Sequence, residues 1–286
     1  PSLLIQSKFH SDEVIARLVV RGKSTLDKIG EMLTIIEEIL LKNHYLNPTC
    51  NWSLWDTVLY EAGRFEPNLP LLLNCSCNDA TMAGPRLHAV NGWQLTTDTW
   101  HTVAAKLFLD ASGDGILAPL AGADFRIGRE SKAEFGESLG RDIPDNRTMG
   151  MSCLIQARDT GTPQSFVPPG WAHTYKTDEE MNHRGHGVAN NNFWWLEVGG
   201  MHDSIHDTEE LRDELLKIAL GVWDHIKNHG DHGAENYELE WLGFLPGKRE
   251  SRRYLGDHVL TQNDVRAEGK FDDLIAYGGW SMDDHH

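Results

Sequence analysis

With 286 residues the chain has room for one large domain or two ordinary ones, and 40% hydrophobic residues give it a core to bury. Its 43 acidic residues against 26 basic ones leave a net charge of −17, which speaks against nucleic acid or an anionic membrane as partner. No run reaches the ~18 apolar residues of a membrane span, and the opening PSLLIQSKFH lacks the regions of a secretory signal.

The first 23 residues carry only a short strand candidate, VIARLVV. From residue 24 to 43, Leu26, Ile29, Leu33, Ile36 and Leu40 recur at intervals of three and four, which predicts a helix. A second helix is expected over 52–65 with Trp55, Leu59 and Ala62 inward. The run LPLLLNCS at 69–76 then reads as a buried strand, and 86–97 with 100–110 as a hairpin about Thr97 and Asp98. Residues 128–150 read as a polar loop, MSCLIQAR at 151–158 as a strand, and 159–192 as a long irregular excursion. NFWWLEVGG reads as a strand of large aromatics. A long helix should start near Asp207 or Thr208, with Asp207 and Glu210 as a capping box. Leu211, Leu215, Ile218, Val222 and Ile226 would form its apolar stripe, and Gly230 would end it. Short strands and turns fill the rest. Helices mixed with strands and a central hairpin make an α/β or α+β chain.

Five patterns bear on chemistry. Cys50, Cys75, Cys77 and Cys153 form no C-x-x-C pair and read as buried free thiols of a reducing, cytoplasmic compartment. In LFLDASGDGILA, Gly113, Gly115 and Ala118 fit G-x-G-x-x-A, but Asp114 between the glycines would repel a pyrophosphate. The stretch is therefore either a tight strand-to-helix turn or an acidic ligand turn in which Asp114 accepts from hydroxyls. Gly136 to Gly140, GESLG, has the form of a nucleophile elbow around Ser138, but Pro144 spoils the helix that should follow. His225 and His229, four apart on one helix, are either a metal pair or surface histidines complementing the helix dipole. The second reading is favoured, so no metal ligand is expected. The basic knot Lys248-Arg249-Glu250-Ser251-Arg252-Arg253 is either an anion clamp or a salt-bridged turn.

Several stretches in order resemble a bacterial family of FAD-dependent oxidoreductases with the glutathione-reductase-like flavin fold. They are NPTCNWSLWDTVLYE, GWQLTTDTWHTVAAKLFLDASGDGILAPLAGADFRIGRE, NNFWWLEVGG and RESRRYLGDHVLTQNDV through IAYGGWSMDDHH, so that the resemblance covers residues 31 to 286. It implies an incomplete FAD/NAD(P)-binding-type domain of mixed α/β character, with a β-meander, plus a substrate domain. The expected division is 1–148 for the partial flavin domain, 149–246 for the substrate-facing part and 247–286 for the return segment. The family's A-T-G-D segment, which follows a β-meander and closes over the cofactor, corresponds to Asp110, Ala111, Ser112, Gly113 and Asp114, with Ser112 for the usual Thr. By this resemblance LFLDASGDGILA is the second flavin motif. Arg249, Arg252 and Arg253 would contact an anionic part of cofactor or substrate, and the substrate would be a small molecule. No catalytic residue is assigned; His202 and His206 qualify only by type. The family's G-x-G-x-x-G and its final glycine-rich strand have no counterpart, so a fragment is expected, and whether it holds FAD by itself is left open. The competing functions are a hydrolase, at Ser138 or through a histidine-bound metal, and a non-catalytic binding module.

Overall fold

The computed structural model describes residues 4–5, 37–181, 184–188, 193, 195–269 and 271–272. The strand candidate VIARLVV and residues 24–36 of the predicted helix at 24–43 lie outside the described residues. The chain separates into two compact units, one of Pro1–Arg126, Lys132–Gly140 and Arg252–His286, the other of Ile127–Ser131 and Arg141–Ser251.

In the first unit, helix α1 (described over 37–46) is followed by α2 (Trp52–Arg64). Asn51 starts α2 because its side-chain oxygen accepts from the otherwise unpaired Ser53 and Leu54 N–H groups. Asn47, buried in the corner between the helices, donates to the Asn43 side chain and the Asn51 carbonyl and accepts from Asn51 N–H. Ile39, Val58 and Leu59 are buried together, with Trp55 and Ala62 packed against them. The predicted face of α2 is thus the observed one, widened by Val58.

The run at 69–76 is not one strand. Only β2 (Leu71–Leu72) is extended, pairing in parallel with β1 (Leu4–Ile5). Asn74 then takes φ 52° and breaks the ladder. The chain resumes as β3 (Cys75–Ala83), β4 (Arg86–Gln94) and β5 (Thr99–Ala104), an antiparallel meander in the order β3-β4-β5. Cross-strand Trp93 and Trp100 pack at 5.4 Å between ring centroids. The predicted strand at 100–110 ends early, at Ala104. Helix α3 (Leu117–Ala121), β6 (Phe125–Arg126) and α4 (Lys132–Phe135) follow, and α3 packs on β3.

The second unit is built on α5 (Thr208–Asn228). Leu211, Leu215, Val222 and Ile226 of the predicted stripe are buried, and Ile218 packs against the same core. The expected capping box is absent. The Asp207 side chain makes no cap hydrogen bond and instead accepts from Asp203 N–H. Two small antiparallel sheets cover the core, β7 (Met151–Ser152) with β9 (Glu197–Val198), and β8 (Ile155–Asp159) with β10 (Tyr237–Leu242). MSCLIQAR is therefore two strands split at Cys153 and Leu154. The aromatic strand shrinks to Glu197–Val198, because Phe193 takes φ 55° and cannot continue a ladder.

The two pieces of this unit are clasped by Asp145. Arg129 donates to it through Nε (3.0 Å) and Nη2 (2.7 Å), Arg141 lies at 3.3 Å, and Arg147 N–H donates as well. Arg129 thereby holds the Asp145 carboxyl down at about 2. A carboxylate with a depressed folded-state pKa stabilises above its unfolded value, and that contribution is lost as pH falls from about 4 through about 2. Asp145→Asn should lower stability by about 1–2 kcal/mol at pH 7. Urea midpoints at pH 7 and pH 3 test this, because the gap between variant and parent must narrow at the lower pH.

Candidate functional site

The acidic turn is organised by its first residue. The chain leaves β5, and Asp110 accepts from Ser112 N–H (2.9 Å) and Leu117 N–H (2.9 Å). The same carboxylate accepts from the Tyr254 hydroxyl at 2.5 Å. Ser112 Oγ accepts from Ile116 N–H at 3.1 Å. One side chain thus closes the turn, satisfies the start of α3 and ties both to β11 (Arg253–Tyr254), which pairs with β6. Burial would raise the Asp110 pKa, but the hydrogen bonds from Tyr254, Ser112 and Leu117 outweigh it and hold the carboxyl below its ordinary value. Burial, together with its bond to Asp110, pushes the Tyr254 phenol up.

Gly113 (φ 79°) and Gly115 (φ 57°) both adopt the left-handed region. A Cβ on Gly113 would meet nothing within 4 Å, so its backbone faces open space. Gly115 is buried against Arg252 and Tyr254, where a Cβ would come to 3.4 Å of each. The Asp114 carbonyl accepts from Arg252 Nη1 at 3.2 Å, and the Asp114 side chain is half-buried. The acceptors here suit hydroxyl groups rather than phosphates.

The basic knot is divided. Arg252 and Arg253 stand beside this turn, Arg252 over the Phe125 ring at 5.5 Å. Arg249 belongs to the second unit, 3.9 Å from Glu197.

Ser138 follows the short helix α4 and no strand, so GESLG has no elbow geometry. Its Oγ accepts from Gln262 Nε2 and Arg266 Nη1, and neither is a base. All four cysteines are free, but only Cys75 and Cys153 are buried as expected; Cys77 is half-buried and Cys50 is exposed. Burial raises Cys75 and Cys77 and pushes Cys153 up to about 11, which removes nucleophilic thiolate at these three. His206 is exposed, and its Nδ1 donates to the Asp203 carboxylate at 2.7 Å.

In the second unit a cavity of about 580 Å³ is lined by Tyr175, Arg184, Trp195, Glu197 and Val222 among others. His225, expected at the surface, is fully buried, and His229 turns away to Asp224 at 3.2 Å. The surface reading of His225 is therefore wrong. It lies on the buried stripe, three residues past Val222 and seven past Ile218, a helical spacing that the sequence does contain.

A family model described as FAD dependent oxidoreductase matches residues 7–286. The chain belongs to this family. The match begins upstream of residue 31, where the visible resemblance starts, and FAD is the family's cofactor. No curated protein and no solved structure matches the chain. Among the described residues no helix is long and apolar enough to cross a membrane. Membership supports flavin redox chemistry and lends nothing to a serine or metal hydrolase.

Proposed function

We propose that this FAD-dependent oxidoreductase holds its cofactor against the turn Asp110, Ala111, Ser112, Gly113 and Asp114. The substrate, a small organic molecule, is received by the second unit. The observation that carries the reading is the Asp110 carboxylate, which fixes Ser112, Leu117 and Tyr254 at once and so leaves a rigid turn with the open backbone of Gly113 at its tip. A rigid, preformed turn loses little entropy on binding. Asp110 then positions, and Asp114 accepts from hydroxyls of the cofactor's sugar or ribityl parts. Arg252 and Arg253, beside the turn, supply cationic charge for its anionic part, and Arg249 does so for an anionic substrate. Bound FAD supplies the electron or hydride transfer itself. The cavity in the second unit, walled by Tyr175 and Trp195 with Arg184 and Glu197 as polar groups, has the composition of a small-molecule pocket.

Titration of the purified protein with FAD, followed by the absorbance band near ~450 nm of the bound flavin, tests this. Asp114→Ala should weaken binding about tenfold, the loss of one good hydrogen bond to a charged acceptor. Thr97→Ala, in the meander hairpin, should leave it unchanged. Equal affinity of parent and Asp114→Ala would take the turn out of the site.

A further inference from the structure

Four side chains of the second unit converge on one point. Asp178 stands in the 3-10 turn Asp178–Met181, His186 in the segment after it, His225 in the last turns of α5 and His232 in the loop beyond. One potential ligand atom from each lies within 4.8 Å of all the others. Asp178 Oδ1 is 3.2 Å from His225 Nε2, 3.7 Å from His186 Nε2 and 3.8 Å from His232 Nε2. The three rings crowd together, His186 edge-on to both others and His225 tilted against His232, with centroids 4.5 to 5.0 Å apart.

The protons are placed by the second hydrogen bond of each ring. His225 Nδ1 lies 2.9 Å from the Tyr175 carbonyl, and His186 Nδ1 lies 2.7 Å from the Arg184 carbonyl. A carbonyl only accepts, so both Nδ1 atoms carry the proton and both Nε2 atoms present lone pairs inward. His232 Nε2 is buried and has no hydrogen-bond partner. Lone pairs and a carboxylate oxygen facing one another at these distances repel unless a cation sits between them. Fixing of Nδ1 by a backbone carbonyl is the arrangement that orients histidine toward metal.

We propose that His186, His225, His232 and Asp178 bind one Zn²⁺ ion. Three imidazoles and a carboxylate suit zinc in a tetrahedral shell, whose bonds of about 2.0–2.1 Å put ligand atoms roughly 3.3–3.4 Å apart. The three distances from Asp178 Oδ1 fit those edges to within about half an ångström. Four protein ligands fill the shell, so the ion is structural. It joins the 3-10 turn to α5 and the loop after it. Tyr175 and Arg184, whose carbonyls orient two of the ligands, also line the cavity together with Glu180 and Met181. The ion therefore fixes the wall of the chamber assigned to the substrate.

Metal analysis of the full chain, purified without chelator and equilibrated with ZnSO₄ before gel filtration, should find about one zinc per chain. Asp178→Ala and His232→Ala should each fall below roughly a tenth of that, and a chelator should lower the Tm of the parent while ZnSO₄ alone restores it. Asp178 is largely exposed, so its variant folds and keeps the comparison interpretable. Metal content is read independently of flavin. A parent that retains less than a tenth of an equivalent of zinc or any other first-row metal, with a Tm indifferent to ZnSO₄, overturns the proposal, as does full retention by both variants. In that case a proton shared between His225 and Asp178 holds the cluster.

Discussion

Trp223→Ala should destabilise the second unit by about 3–5 kcal/mol, enough to unfold it at modest denaturant concentrations. Trp223 is 1% exposed and sits at the centre of the face that α5 turns inward, among Leu215, Ala219, Val222 and Ile226. Its ring meets Phe166 edge-on, with centroids 6.5 Å apart, so one stretch of the irregular 159–192 segment is anchored through it. Truncation to Ala removes a large apolar surface and leaves a cavity that a 21-residue helix cannot close by shifting, because Leu211, Leu215 and Ile226 fix its register. Gly221, two residues earlier, adds a second restraint. A Cβ there would come within 2.4 Å of the His173 carbonyl, so the helix has no room to move toward that segment. Trp171→Ala, at a side of the unit where the indole is 53% exposed, should shift stability by less than about 0.5 kcal/mol. Urea titrations of the two variants decide the matter, and a loss below about 1 kcal/mol for Trp223→Ala would show that α5 is not the organising element.

The same contrast explains how much the sequence reveals. α2 and α5 are legible because their apolar residues recur on one face over three and more turns, so that the pattern survives errors at individual positions. The strands are not, because most are two residues long and apolar runs are interrupted by left-handed backbone. Asn74 at φ 52° and Phe193 at φ 55° each cut an apolar run that reads as continuous. The hairpin β4–β5 is legible because its turn contains Thr97 and Asp98, and Asp98 at φ 55° is a residue type that tolerates that region. The acidic turn stands out by its small residues, yet nothing local reveals that Asp110 is held by Tyr254, 144 positions away. The histidine cluster fails for the same reason. Its ligands at 178, 186, 225 and 232 have no regular spacing, and the one regular pair, His225 with His229, is broken where α5 ends at Asn228. What the pattern did hold was the position of His225 on the buried stripe, where a polar side chain demands a partner.

Asp110→Ala should cost the first unit about 2–3 kcal/mol and open the acidic turn. The carboxylate is the shared acceptor of Ser112 N–H, Leu117 N–H and the Tyr254 hydroxyl, and alanine leaves all three without it in a half-buried place. Asp110→Asn keeps one oxygen but turns the other acceptor into a donor, so it should fall between parent and alanine. Tyr254→Phe removes only the hydroxyl and should cost about 1 kcal/mol. The pH dependence has a definite sign at both ends. The Asp110 carboxyl lies below its ordinary value when folded, so its contribution is present above about pH 4 and fades as pH falls through the folded value. The Tyr254 phenol lies above its ordinary value, so its contribution is present below about pH 10 and fades as pH rises beyond. In Asp110→Ala the acid-side dependence should disappear and the alkaline one weaken to the part that burial of Tyr254 sustains, which a loss of general packing would not produce. If the turn positions the flavin, the FAD affinity of Asp110→Ala should fall by more than tenfold, and that of Tyr254→Phe by less, in the order of their stability losses. An Asp110→Ala protein with an opened turn, shown by the flattened pH profile, and undiminished FAD affinity would separate the turn from the cofactor.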